Sequence, residues 1–204
     1  MPFYKEILLP AGSLTLWKVE EGEDFPVSLT EASRKRLAGM KRPDHRHGFL
    51  AVRMLLEKAG LSDHDVLYET DGRPLLQDGR HISISHSYDF AALYTGTEPY
   101  GIDIEKIHSR IIKNRPHFIR DEVILPGFEP EVLTLIWTVK ETIFKLSNSR
   151  PLSFLTDLHV HSYDLSTGTG TAASTFPGWE EEFCFQFERI GDYMLTWCKA
   201  FNRL

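Results

Sequence analysis

The sequence has few cysteines, no long hydrophobic run and no excess of positive charge. Its two cysteines, Cys184 and Cys198, lie in separate apolar stretches without metal-ligand spacing, so reduced buried thiols are expected rather than disulfides or a zinc site. No apolar run approaches the roughly 20 residues that span a bilayer. The N-terminus lacks the basic-then-apolar pattern of a signal peptide. We therefore expect a cytoplasmic protein without a membrane segment.

Basic residues are outnumbered by acidic ones. The formal net charge of −6 does not favour non-specific binding to nucleic acid, although a locally basic cleft could still receive an anionic ligand. A Gly-Thr-Gly-Thr run at residues 168–171 lacks the strand-to-helix context of a phosphate-binding loop. The Ser/Thr/Gly-rich stretch around it, residues 166–178, predicts a mobile surface loop.

The remaining sequence is typical of a folded α+β protein. Hydrophobic residues make up 42% and charged residues 25% of the 204 residues, enough for one large or two small domains. Patterning predicts helices at 30–37, 43–59 and 131–146, and strands at 14–19, 81–87, 90–94, 100–104, 154–160, 183–188 and 193–201. Two halves, each with strands and helices, predict a duplicated architecture with a site at their junction.

One predicted strand carries two acidic residues on the same face. In the run 101–105, Asp103 and Glu105 point one way, and Ile102 and Ile104 point the other. Two carboxylates this close resist ionisation unless a cation lies between them. Magnesium prefers oxygen ligands and commonly takes one or two carboxylates plus substrate phosphates. A strand with a solvated acidic face is the alternative.

The helix predicted at 131–146 carries charged groups in an apolar setting. Glu141 and Lys145 are four residues apart and share a narrow polar stripe, while the other sectors are hydrophobic. Lys140 projects from an apolar sector, where a cation is costly unless its ammonium reaches an anion. The alternative is a surface Glu–Lys pair beside a lysine that extends to solvent.

A third candidate lies on the strand 82–87. Its isoleucines face one way and its serines face the other. His86 lies near the end of the strand, where an imidazole can contact a ligand and titrate near neutral pH. A structural histidine bonded to a backbone carbonyl is the alternative.

These three segments, in this order and spacing, resemble the motifs of the phosphopantetheinyl transferases. The matching segments are Ser85–Ser87, Gly101–Glu105 and Trp137–Lys145, with a looser match at Asp71–Pro74. The resemblance covers roughly residues 42–154. Within that family, the chain resembles the two-halved monomeric type, the surfactin-synthetase-activating class. This type serves peptide, polyketide and fatty-acid synthases.

The resemblance implies a fold and a reaction. The fold is α+β, with two similar α/β subdomains related by pseudo-two-fold symmetry and the active site at their junction. The first subdomain, 1–98, would hold the 3′-phosphate of coenzyme A, and the second, 99–204, would hold magnesium and the catalytic residues. The reaction transfers phosphopantetheine from coenzyme A to a serine of an apo acyl or peptidyl carrier protein and releases adenosine 3′,5′-bisphosphate.

Residue roles are implied by the same resemblance. Asp103, Glu105 and Glu141 would hold Mg²⁺, or Mn²⁺, against the pyrophosphate, and Glu141 would also serve as base for the acceptor serine. Lys145 and His86 complete the catalytic set. The residues expected to contact coenzyme A are Ser85, His86, Lys140, Lys145, Arg46, Arg53 and Arg73.

The three arginines are candidates because a guanidinium grips phosphate with two prongs. Arg73 stands where the family has a basic residue before proline. The register of Arg46 is less fixed, and Arg53 could instead pair with Glu57. Lys35, Arg36 and Arg42 are possible substitutes.

Two other functions would use some of these residues. A metal-dependent phosphodiesterase or nuclease also needs a carboxylate pair, a lysine and a histidine, but more often carries ligands for a second ion. An inactive module that binds a carrier protein or coenzyme A is the non-enzymatic alternative. The presence of Asp103, Glu105, Glu141 and Lys145 together argues against that module. No nucleic-acid or membrane partner is expected.

Overall fold

The computed structural model describes residues 3–148 and 150–200 and shows an α+β protein. The chain divides into two compact units between Pro99 and Tyr100, whereas the sequence predicts a division after residue 98. Phe201, the predicted end of the last strand, lies outside the described residues. None of the helices in the described ranges is long and hydrophobic enough to cross a bilayer.

The first unit contains a four-stranded antiparallel sheet with the order β1-β2-β6-β5. These strands are β1 (Phe3–Leu9), β2 (Gly12–Lys18), β5 (His81–Ser87) and β6 (Phe90–Gly96). Between β2 and β5 lie helices and a small two-stranded sheet: α1 (Glu31–Gly39), α2 (Pro43–Lys58), a 3₁₀ turn (Asp63–Asp65), β3 (Val66–Tyr68) and β4 (Pro74–Leu76).

Helix α2 covers one face of this sheet. It begins at a proline, whose missing N–H costs nothing at the first helical position, and it stops just before Gly60, which has a φ of 72°. Val52, Leu55 and Leu56 on α2 share one core cluster with Ala91 and Leu93 on β6. The helix therefore holds the ends of β5 and β6 in a fixed position.

The second unit contains a five-stranded antiparallel sheet with the order β7-β11-β10-β9-β8. Its elements are β7 (Gly101–Lys106), α3 (Ile111–Asn114), α4 (Glu129–Leu146), β8 (Leu158–Asp164), β9 (Thr169–Phe176), β10 (Trp179–Ile190) and β11 (Tyr193–Ala200). Apolar residues of α4, including Val132, Leu135, Ile136 and Val139, pack in one core cluster with residues of the sheet.

The predicted mobile loop at residues 166–178 is wrong for most of its length. Residues 169–176 form β9, which pairs with both β8 and β10. The glycines have packing roles, because a Cβ at Gly170 would lie 2.2 Å from the Phe185 ring and Gly168 turns the chain with a φ of 67°. The glycines that made this stretch resemble a loop therefore serve a hairpin turn and a close contact with an aromatic ring.

Helix α4 lies against β7 at Gly101. A Cβ on Gly101 would lie 2.1 Å from the carbonyl oxygen of Thr142, far inside van der Waals contact. Only glycine permits this approach, which brings the polar stripe of α4 to the acidic strand.

Replacing Gly101 with alanine should therefore push α4 away from β7. We expect a loss of about 1–3 kcal/mol in the free energy of unfolding, as for an overpacked core, measured by urea denaturation. Gly39→Ala is the matched control, because a Cβ there meets nothing within 4 Å. Equal stability of both variants would contradict the close packing of α4 on β7.

Candidate functional site

Helix α4 and strand β7 bring three predicted site residues together in the second unit. Lys145 Nζ donates hydrogen bonds to Asp103 Oδ1 and to the carbonyl oxygen of Ile102, both at 2.8 Å. Asp103 is buried, whereas the Lys145 side chain is 26% exposed. The buried carboxylate therefore has a cationic partner that is still reachable from solvent.

Glu141 lies one helical turn before Lys145 and is half-buried. Its burial and the negative charge of Asp103 raise its pKa from 4.5 to about 7, while Lys145 opposes the shift. A carboxylate with this pKa exchanges its proton near neutral pH, as a general base must. Glu141 and Asp103 are thus close enough for their charges to interact.

The carboxylates fit the chemistry of a hard cation. Asp103, Glu105 and Glu141 offer only oxygen donors, which Mg²⁺ prefers. A cation would relieve the repulsion by Asp103 that adds to the effect of burial in raising the pKa of Glu141. Glu105 is half-buried and follows Asp103 by two residues on β7, so both are on one face. Within 3–148 and 150–200, no three acidic, histidine or cysteine side chains are already gathered as a metal site.

Strand β11, the neighbour of β7, is bonded to α4 through a threonine pair. Thr142 Oγ1 and Thr196 Oγ1 are 2.7 Å apart and share a hydrogen bond, and Thr196 lies opposite Asp103 on the neighbouring strand β11. Both threonines are fully buried. This bond, which the sequence did not reveal, holds α4 on β11, the strand that pairs with β7 at Asp103.

Lys140 has surroundings different from those implied by the resemblance. Its side chain is fully buried and forms an ion pair with Glu122, and its Nζ donates to the carbonyl oxygens of Phe118 and Phe154 at 2.6 and 2.9 Å. Two carbonyl oxygens and the charge of Glu122 therefore satisfy the ammonium group. The expected contact between Lys140 and a phosphate of coenzyme A is replaced by a structural one.

Arg53 is likewise enclosed. Its Nε pairs with Asp63 Oδ1 at 2.9 Å, its other nitrogens donate to Phe49, Ser33 and Tyr68, and its guanidinium lies 3.5 Å from the centre of the Phe49 ring. The side chain is 4% exposed. We therefore remove Arg53 from the phosphate candidates. Arg53 also pairs with Asp63 and not with Glu57, the partner that the sequence suggested.

The other two arginines are accessible. Arg73 pairs through Nε with Glu69 at 2.6 Å, and a third of its side chain is exposed. Arg46 is half-buried and donates from Nη1 to the carbonyl oxygen of Leu37 at 2.7 Å. Both side chains are at least partly exposed, so both arginines stay in the candidate set.

His86 lies at the end of β5, against helix α2. A Cβ on Gly48 would lie 2.8 Å from the His86 ring, so only glycine at this position leaves room for the imidazole. The ring centre of His45 is 6.2 Å from that of His86. Ser85 is buried on the opposite face of the strand. The role of Gly48 was not predicted from the sequence, because a single glycine inside a helix does not indicate which side chain packs against it.

No protein-family model and no curated protein matches the chain.

Proposed function

We propose that this protein is a 4′-phosphopantetheinyl transferase of the two-halved monomeric type. It transfers the phosphopantetheine of coenzyme A to a serine of an apo acyl or peptidyl carrier protein, depends on magnesium, and releases adenosine 3′,5′-bisphosphate. The observation that carries the proposal is the α4–β7 pair, in which a buried Asp103 contacts Lys145 beside Glu141, a carboxylate with a pKa of about 7.

The residues of α4 and β7 can supply what this reaction needs. The serine oxygen bonds to the phosphorus that carries pantetheine, the bond from that phosphorus to the leaving phosphate breaks, and Glu141 accepts the serine proton directly or through water. Lys145 stabilises the charge that develops on the phosphate oxygens. Bound magnesium, held by Asp103, Glu105 and Glu141, would neutralise the pyrophosphate.

The first unit supplies the proposed binding residues for coenzyme A. His86, Arg46 and Arg73 are the accessible candidates, because Arg53 is enclosed. We assign the 3′-phosphate to the arginines and another phosphate of coenzyme A to His86. Ser85, which is buried, would act through its strand.

A shared strand order supports the duplicated architecture. In the first unit, β2 pairs with β6 and β6 pairs with β5. In the second unit, β7 pairs with β11 and β11 pairs with β10. In each case the strand before the helices joins the last strand of a terminal hairpin. We propose, as the resemblance implies, two subdomains related by pseudo-two-fold symmetry and an active site that draws on both.

A strongly basic stretch that begins at the last residue of β7 suits an acidic acceptor. Residues 106–120, here termed the cationic segment, carry five lysines and arginines and no acidic residue in a chain of net charge −6. Four of them are exposed and make no ion pair within the described residues: Arg110, Lys113, Arg115 and Arg120. Ile112 among them is 46% exposed. Such a surface favours a carrier protein with acidic residues around an apolar contact.

The proposed reaction is tested by weighing the acceptor. The protein is incubated with coenzyme A, magnesium and several apo carrier proteins, and each carrier is measured by intact-mass spectrometry. We expect a mass gain of one phosphopantetheine that requires magnesium. No gain on any carrier, with coenzyme A still bound, would favour a binding module, and cleavage of a phosphodiester substrate would favour a nuclease.

The assignment of Arg73 to the 3′-phosphate gives a separate prediction. Arg73→Ala should weaken coenzyme A binding about tenfold, the loss of one charge-assisted contact, and should leave binding of dephospho-coenzyme A, which lacks that phosphate, unchanged. Titration calorimetry measures both ligands. Arg80→Ala is the matched control, since Arg80 is similarly exposed and also pairs with a nearby carboxylate. If Arg73→Ala weakened the binding of coenzyme A and of dephospho-coenzyme A equally, the assignment would be contradicted.

A further inference from the structure

The buried ion pair between Lys140 and Glu122 joins three parts of the second unit. Lys140 belongs to α4, Glu122 and the carbonyl oxygen of Phe118 belong to the connection between β7 and α4, and the carbonyl oxygen of Phe154 precedes β8. Both charged side chains are at least 99% buried. Desolvating two charges is costly, and the cost is offset only when further hydrogen bonds satisfy both groups.

Glu122 is also bonded to its own segment. Its Oε2 accepts a hydrogen bond from the backbone N–H of Arg120 at 2.8 Å. The carboxylate therefore connects the end of the cationic segment to the core lysine. Because Lys140 also binds the carbonyl oxygen of Phe118, two points near residue 120 are attached to α4.

Little regular structure holds the cationic segment otherwise. Between β7 and α4 the chain has only the short helix α3 and a 3₁₀ turn at Arg115–His117. Phe118 is fully buried, and Ile107, Ile111 and Ile119 pack in part against the core. These apolar contacts keep the segment on the protein surface, while the polar bonds of Lys140 and Glu122 set its position along α4.

We propose that Lys140 and Glu122 form a latch that positions the cationic segment for the acceptor protein, an inference that rests on the proposed function. Both are positioning residues, because their polar atoms are enclosed and act through residues 106–122. The latch governs the binding of the acceptor and leaves the binding of coenzyme A unchanged. This assignment differs from a direct contact between Lys140 and phosphate.

The test compares Lys140→Met and Glu122→Gln with the parent. Both variants should raise the KM for the apo carrier about tenfold, a loss typical of misplaced binding groups, and leave the KM for coenzyme A within twofold. Hydrogen exchange at residues 107–122 should become faster in both. Lys18→Met, at an exposed position on β2, is the matched control and should change none of these values.

A double variant covers the case in which a single substitution prevents folding. Lys140→Met with Glu122→Met replaces the ion pair by apolar groups of similar size, which buried pairs commonly tolerate. It should fold, yet keep the raised KM for the carrier and the faster exchange, because the carbonyl oxygens of Phe118 and Phe154 have lost their donor.

The outcomes separate the latch from its alternatives. A raised KM for coenzyme A with an unchanged KM for the carrier would overturn the latch and restore Lys140 as a phosphate contact. Unchanged kinetics and unchanged exchange in folded variants would also overturn it. If the parent transfers nothing to any carrier, the proposed function fails. The exchange comparison then still decides whether the pair positions residues 107–122.

Discussion

Asp103→Ala should reduce phosphopantetheine transfer by at least roughly a hundredfold, the loss seen when one group that stabilises transition-state charge is removed. The carboxylate is buried on β7 and contacts Lys145 at 2.8 Å. Its removal deletes a proposed magnesium ligand and also the partner that orients Lys145. The fold should survive, because Ile102 and Ile104 of the same strand remain fully buried. Transfer is followed by the mass of the carrier at saturating magnesium.

Two further variants define what the Asp103 result means. Asp103→Asn keeps the shape and a hydrogen bond from Lys145 but removes the charge, so it should lose nearly as much activity as alanine. Asp24→Ala removes an exposed carboxylate of the first unit and should transfer at the parental rate. Comparable turnover by Asp103→Ala and the parent would refute the assignment of Asp103 as a metal ligand.

Glu141→Gln should stabilise the metal-free protein at pH 8 and also abolish transfer. Burial and Asp103 raise the pKa of Glu141 from 4.5 to about 7 in the folded state, so the folded state holds this proton more tightly than the unfolded state. The stabilising effect is complete below pH 4.5 and is lost as pH rises through 7. Above that pH the folded protein carries an unfavourable charge that glutamine lacks.

The expected difference is measurable by denaturation at two pH values. At pH 8 without metal, the free energy of unfolding of Glu141→Gln should be about 2–3 kcal/mol higher than that of the parent. At pH 4.5 the variant and the parent should have nearly the same free energy of unfolding. Magnesium should then stabilise the parent and not the variant. Glu182→Gln, at an exposed position on β10, should show no such dependence. A difference that is the same at both pH values would contradict the raised pKa.

The strongly periodic elements of the fold were predictable. The strands expected at 81–87 and 90–94 are confirmed as β5 and β6, which form a hairpin, and the helix expected at 131–146 is confirmed as α4. Residues 82–87 alternate as a strand does, and residues 131–146 follow the helical period, whereas 90–94 is a short continuous apolar run. The strand expected at 154–160 instead starts at Leu158, because Asp157 accepts a hydrogen bond from the backbone N–H of Ser153 and holds a turn.

Other elements carried weak or misleading signals. Strand β1 alternates half-buried and exposed residues at the edge of its sheet and was not predicted. Strand β9 was mistaken for a loop because glycine, serine and threonine are common in loops. Its buried residues Ala172, Ala173 and Ser174 are small, so the pattern of large apolar residues that predicts a strand is missing.

The candidate site could be predicted where its parts lie on regular elements. Spacing on a strand and a helix places Asp103, Glu141 and Lys145 on defined faces, and the structure brings these three side chains together. The surroundings of Lys140 and Arg53 could not be predicted in this way. Their partners Glu122 and Asp63 lie in irregular or 3₁₀ segments, where no periodicity indicates which carboxylate turns inward.

The most direct test of the central claim is a crystal structure with coenzyme A and Mn²⁺, in which anomalous scattering locates the cation. The proposed function predicts a manganese ion bound by the carboxylates of Asp103, Glu105 and Glu141, with the pyrophosphate on the same ion and Lys145 at the phosphate oxygens. A cation bound elsewhere, or these three carboxylates directed into solvent while the pyrophosphate lies on other residues, would contradict it.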